Sequence, residues 1–180
     1  MTDNKTIQSI IANGGWCDID PKRNHSFIDK RLGRIVFNGT DYLVIQRFDM
    51  AGEYADGFYS VPKSTFLKLH KAYWLKKYLS VGGKVIEEAK VPGVLTGKDW
   101  IEFINKLKET LEAVRVLTSE GVFYGYISTI DAEELRLQRI ELPYLDTGIS
   151  IKANAIQFIE VGTKAIREVS AQYRRLLSRG

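Results

Sequence analysis

The stretch from Lys68 to Tyr78 gathers more groups with recognisable binding chemistry than any other. Lys68, Lys71, Lys76 and Lys77 alternate there with Tyr73, Trp74 and Tyr78. Lysines neutralise phosphates, and aromatic rings stack on unpaired bases. Interleaved in this way, the two residue types suit single-stranded nucleic acid. Lys68, Lys71, Tyr73, Trp74, Lys76 and Lys77 are therefore the candidate binding residues. A plainer reading of the same residues turns the aromatics into the core and leaves the lysines solvated. It is the preferred one.

Other chemistry-bearing residues form weaker patterns. Cys17, His25 and His70 show neither C-x-x-C nor H-x-x-x-H spacing, so they read as unrelated single residues rather than a metal or nucleophile site. Asp18-Ile19-Asp20 offers hard oxygen ligands, but Pro21-Lys22-Arg23 follows and favours a polar loop. Asp131, Glu133 and Glu134 stand at an expected hairpin tip, where solvation keeps carboxylates from acid–base work. The phosphate-cradling glycine loops and the G-x-S-x-G nucleophile elbow are missing. No motif calls for a cofactor or metal, and no catalytic residue is expected.

Composition bounds the class. The 180 residues, 44% hydrophobic and 27% charged, suit one large or two small packed domains of a soluble protein. A single cysteine rules out an intrachain disulfide. The first residues lack a basic start followed by an apolar run, and no apolar stretch is long enough to span a membrane. The expectation is a cytoplasmic, non-membrane protein. The net charge of +4 is unevenly spread. Residues 63–77 carry five lysines and no acid, whereas residues 91–162 carry seven basic and eleven acidic residues. Local basic patches are compatible with RNA or an acidic partner. Cations also gather towards the C-terminus, where a closing helix favours them.

The elements behind these residues are mostly short strands. Runs rich in β-branched, aliphatic and aromatic residues at 32–37, 42–48, 58–61, 122–131, 133–142, 149–153 and 156–162 are separated by turn residues and read as strands. Asn38-Gly39 predicts a tight hairpin. Residues 5–12 predict a short helix stopped by Asn13-Gly14-Gly15, followed by a polar connector over 16–30. Residues 65–70 read as a strand with a short helix at 72–79, although one amphipathic helix fits the same stretch. Thr96 predicts the N-cap of a helix over 97–109, with Asp99 at its third position. Residues 111–119 read as a strand, and a last helix covers 163–178, with Ile166, Val169, Tyr173, Leu176 and Leu177 at helical spacing.

The strands follow one plan twice. Gly33 precedes Gly57 by 24 residues, and Gly125 precedes Gly148 by 23. Each second glycine follows an acid, Asp56 or Asp146, and the pairs Phe66/Leu69 and Ile156/Ile159 close the units. The resulting division is 1–30, an N-terminal helix and connector; 31–80, a first β-unit; 81–109, a connector and helix; and 110–180, a second β-unit with a C-terminal helix.

From Gly33-Arg34-Ile35-Val36 to Asp56-Gly57-Phe58, and again from Gly125-Tyr126-Ile127 to Ile156–Thr163, the pattern resembles the small barrels of the Sm-like/SH3-like class. It is similar to bacterial proteins that carry two such units. The resemblance implies a mainly β fold: two small barrels packed together, a helix between them and one at the C-terminus. It implies a non-enzymatic binding or interaction module, because small barrels expose grooves and edge strands. The alternatives are an RNA- or single-strand-binding protein and an enzyme with an unfamiliar site between the units. Partners are a protein or RNA, with room for a homo-oligomer.

Trp74→Ala separates the two readings of the basic–aromatic stretch. A core tryptophan costs about 3–5 kcal/mol of stability when truncated. A stacking one costs about 1–3 kcal/mol of nucleic-acid binding and little stability. The expected outcome is a large fall in melting temperature with no gel shift of single-stranded RNA by the parent protein.

Overall fold

A computed structural model describes residues 4–20, 31–48, 55–64, 68–71 and 91–178. Helix α1 (Asn4–Ala12) opens the chain and leads into strands β1 (Trp16–Asp20), β2 (Arg31–Asn38), β3 (Tyr42–Phe48), β4 (Ala55–Pro62) and β5 (Lys68–Lys71). A 3-10 turn (Gly93–Leu95) and helix α2 (Trp100–Thr110) follow. The second set of strands is β6 (Val114–Thr118), β7 (Val122–Ile130), β8 (Glu134–Arg139), β9 (Gly148–Lys152) and β10 (Ile156–Val161), and α3 (Lys164–Leu177) closes the chain.

All pairings are antiparallel. The strands form one ten-stranded sheet in the order β5-β1-β2-β3-β4-β10-β6-β7-β8-β9. The fold is mainly β, as the sequence predicts, but this ladder is one continuous sheet and does not show two separate barrels. Its order contains the repeat. The first five strands run β5-β1-β2-β3-β4, the second five run β10-β6-β7-β8-β9, and β4 joins β10.

The register makes the duplication specific. Gly33 faces Arg47 across β2–β3, and Gly125 faces Arg139 across β7–β8. Both hairpins shift register at the same place, between Ile35 and Phe37 and between Ile127 and Thr129. A Cβ on Gly33 or Gly125 would collide with the carbonyl oxygen of Gln46 or Gln138 on the facing strand, so both positions require glycine. The second glycine pair is corrected by one residue. Gln46 faces Phe58 and Gln138 faces Gly148, so Gly148 matches Phe58 rather than Gly57.

Several local expectations change. Trp16–Asp20 is strand β1, not part of a polar connector. Trp16 and Cys17 are buried, and tertiary pairing with β2 and β5 overrides the polar look of the segment. Asn38-Gly39 forms no two-residue turn with positive φ. Residues 39–41 connect the strands, and Gly39 is needed because a Cβ would meet the Tyr42 ring. Asp99, not Thr96, caps α2, accepting the Glu102 N–H at 2.9 Å, while Glu102 accepts the Lys98 N–H at 2.8 Å. Leu111 ends that helix in the left-handed region, so β6 begins only at Val114. The β5 strand is described at Lys68–Lys71, running one residue past the expected end at 70, and residues 65–67 and the helix expected at 72–79 lie outside the described residues.

Two apolar clusters cover the sheet, and each crosses from one half to the other. One packs Trp100, Phe103, Ile104 and Leu107 of α2 on Tyr42 and Val44 of β3 and on Val114, Val116, Ile127 and Leu137 of the second half. The other packs Ile7 and Ile10 of α1 on Cys17, Ile35, Leu43, Ile45 and Tyr59, with Leu117 and Phe158 from the second half. Alternate residues of β3 thus enter opposite clusters, which explains its nearly continuous apolar sequence. Neither half owns a core by itself.

Tyr42 ties these layers together. Its ring stacks on Phe103 at 5.1 Å, and its hydroxyl accepts the Gly97 N–H at 2.6 Å, with the Gly97 carbonyl at 3.1 Å. Burial pushes the hydroxyl pKa up, with the Gly97 backbone acting against it. Tyr42→Phe leaves a buried N–H unpaired and is expected to cost about 1–3 kcal/mol, read from the urea midpoint of unfolding.

Candidate functional site: a filled sheet edge and its open counterpart

The β4–β10 joint places Ser60 opposite Ile159, Tyr59 opposite Glu160 and Phe58 opposite Val161. Hydrogen bonding on the β3 side follows from Lys63 donating its N–H to the Asp41 carbonyl at 2.7 Å. Antiparallel alternation then turns the backbone groups of Phe58 and Ser60 towards β10. Gly57 lies so close to Val161 and Gly162 that a side chain would clash with their backbone.

Two charged clusters hold the joint. Asp56 accepts the Lys164 N–H at 2.6 Å and lies 3.1 Å from the Arg47 guanidinium and 3.5 Å from that of Arg167. An acid of the first half thereby caps a helix of the second, where the helix dipole favours negative charge. The α3 N-cap residue, Thr163, does not cap its own helix, and its hydroxyl donates to Glu160 at 3.4 Å. Glu160 is 0% exposed and pairs with Arg115 at 2.9 Å. The Arg115 guanidinium also lies over the Tyr124 ring.

The same edge of the second half is β9. Ala153 donates its N–H to the Glu133 carbonyl at 2.7 Å, and Arg139 donates to the Thr147 carbonyl at 2.9 Å. Alternation assigns Ile149 and Ile151 to the β8 ladder and turns the backbone groups of Gly148, Ser150 and Lys152 outward. Among the described residues nothing pairs with that side. Ser150 matches Ser60 in register: each is two residues beyond the partner of Gln138 or Gln46. The Ser150 hydroxyl donates to Glu134 at 2.7 Å, and Arg136 donates to the same carboxylate at 2.6 Å. The Arg136 bond is the main reason the Glu134 carboxyl is held below its ordinary pKa.

Exposed apolar and aromatic side chains rim the loop that leads into β9 and the end of α3. Leu142 is 65% exposed, and Tyr144, Leu176 and Leu177 are exposed with it. The Tyr173 hydroxyl donates to Asp146 at 2.6 Å, which raises its pKa and brings α3 against the loop before β9. Arg139 lies 3.8 Å from the Tyr144 ring centroid and is paired with Glu141. The sequence reading missed this rim, although Leu142-Pro143-Tyr144-Leu145 was a signal for it.

A cleft of about 770 Å³ lies where the two halves meet α1 and α2, with Asn4, Asp41, Lys63, Trp100, Ala132 and Asn154 on its walls. Its charged groups are already engaged. Lys63 donates to the Gly39 carbonyl at 2.6 Å, and Asp41 accepts the Trp100 N–H at 2.8 Å.

Of the sequence-predicted residues, Lys68 and Lys71 lie on β5, opposite Asp20 and Cys17, and Lys71 is exposed. Tyr73, Trp74, Lys76 and Lys77 lie outside the described residues. Cys17 is a buried thiol. Asp131 is a turn residue, accepting the Glu133 and Glu134 N–H groups at 2.8 Å each, and these bonds lower its pKa. Among the described residues no group of three or more His, Cys, Asp or Glu is placed to hold a metal, and no helix is long and apolar enough to cross a membrane. No protein-family profile matches the chain, and no curated protein is significantly similar to it.

The two clusters at the joint differ in burial, and their variants should differ accordingly. Glu160→Ala strands a largely buried arginine and is expected to cost about 3–5 kcal/mol. Asp56→Ala removes a cap at a partly solvated site and is expected to cost about 1 kcal/mol. Urea unfolding of both variants checks the order.

Proposed function

We propose that this chain is a non-enzymatic interaction module built on two Sm-like/SH3-like units, and that it binds a protein partner by adding a strand to β9. The repeated strand order supports two units of that class. The observation that carries the binding mode is the contrast between equivalent edges. In the first half the edge strand β4 is covered by β10, whereas in the second half β9 offers Gly148, Ser150 and Lys152 outward. An open ladder supplies main-chain affinity, and neighbouring side chains supply specificity. Leu142, Tyr144 and Leu177 provide apolar and aromatic area at the rim, beside the Arg139 guanidinium. β9 is short and ends at Lys152, features that restrain unselective pairing.

The enzyme reading draws less support, because the cleft's lysine and carboxylate are held in backbone hydrogen bonds. The nucleic-acid reading rests on the lysines and aromatics of residues 68–77, of which only Lys71 has a described side chain.

The internal occupant of the equivalent edge defines a probe. A fluorescent peptide with the sequence of residues 154–163, which contains β10, is expected to bind the protein with a Kd of about 1 mM or tighter. Ser150→Pro removes an outward N–H while leaving the β8 side of the ladder intact, and is expected to abolish binding. Ser150→Ala, which loses the Glu134 hydrogen bond alone, should retain it. Equal binding by all three proteins, or none by the parent, contradicts the proposal. Sedimentation across a concentration range shows whether a second copy serves as the strand donor.

A further inference from the structure

We infer that a second site, beside Gln46, takes a small organic cation with an apolar body. A cavity of about 310 Å³ lies against the β4–β10 joint. Phe58, Val94, Leu95 and Val161 give it apolar walls, Gln46 lines it from β3, and Glu112 stands at its margin. The site is separate from the β9 edge and independent of what that edge binds.

Two observations point to a ligand. Gln46 is 1% exposed, and its side-chain carbonyl has no hydrogen-bond partner. A buried acceptor without a donor is costly, and the cavity it lines is where a donor can be supplied. The repeat sharpens the point. Gln138 occupies the matching place in the second half but is exposed, so water serves its carbonyl while its amide N–H donates to Asp146 at 3.1 Å. Burial beside the joint withdraws that water from the Gln46 carbonyl.

The ligand class follows from the lining. The free group on Gln46 is an acceptor, so the ligand must donate. Among the described residues Glu112 is exposed without an ion pair, and no cation lines the cavity. A donor that also carries positive charge satisfies both groups. The apolar walls and the volume suit an aryl or alkyl body of modest size. Such a ligand touches Gln46 and Phe58 of the first half and Val161 of the second, so it would also brace the joint.

The test uses three probes of similar shape: 2-phenylethylamine, 2-phenylethanol and phenylacetate. Each is titrated into the protein while amide signals of Gln46, Val161 and Gly162 are followed by NMR. The amine is expected to bind with a Kd of about 1 mM or tighter. The alcohol should bind about threefold more weakly, and the carboxylate should leave the signals unmoved. Glu112→Gln, an exposed change, should bring amine and alcohol to equal affinity. Gln46→Met should weaken both by about fivefold. If the cavity holds only water, none of the probes shifts these signals, and the inference fails. Equal binding of all three probes, or an amine preference that survives Glu112→Gln, also overturns it.

Discussion

The antiparallel seam between β4 and β10 is the constraint on which the rest of the structure depends. Two five-strand sets meet there, and the backbone groups of Phe58 and Ser60 find their partners on β10. Without that seam β4 and β10 would each present an unpaired edge, and both apolar clusters would be cut, because each takes residues from both sides. The seam also brings Glu160 into full burial, where its pairing with Arg115 offsets part of the cost of burying a charge. Hydrophobic closure and ion pairing are thus parts of one event. The clusters exclude water from the seam, and the low dielectric strengthens the pair that orients it.

The duplication gives equivalent residues different fates. Ser60 sits within the seam, and Ser150 sits on the rim of the sheet. Asp56 holds the first turn of α3, while Asp146 accepts the Tyr173 hydroxyl about two and a half turns further along the same helix. Helix α3 therefore bridges the two halves, with equivalent acids on its two parts. Gln46 is buried without a partner for its carbonyl, whereas Gln138 is exposed to water and its amide N–H donates to Asp146. These differences arise because one copy of the edge is covered and the other is not. The open edge keeps its backbone groups available for that reason, and the covered edge keeps a buried acceptor without a donor.

Much of this was legible in the sequence. Gly33 and Gly125 announced the two hairpins because each lies against a facing carbonyl that no side chain could clear. Of the Phe66/Leu69 and Ile156/Ile159 pairs, the second members carried the register between β5 and β10, since Leu69 faces Ile19 and Ile159 faces Val116 at matching places, while Phe66 lies outside the described residues. The helices followed from periodicity. What stayed hidden depends on distant partners. Trp16–Asp20 alternates over only four residues, Cys17 to Asp20, before Pro21, and is a strand flanked by β2 and β5. The Asp99 cap was masked by Thr96, a residue of equal capping chemistry three positions earlier. The seam itself left no local trace, because which of two similar edges is covered depends on the packing of both halves. The candidate site suffered most. Residues chosen for charge and aromaticity fall mainly outside the described structure, while the open edge is defined by backbone groups that composition cannot reveal.

Amide hydrogen exchange at Ser60 and Ser150 tests the central contrast directly, because the two residues share a register position on equivalent edges. The account predicts that the Ser60 N–H is protected to near the global stability, and that the Ser150 N–H exchanges like an unpaired amide in the protein alone. Comparable protection at both positions would mean that the β9 edge is already covered, and would contradict the account.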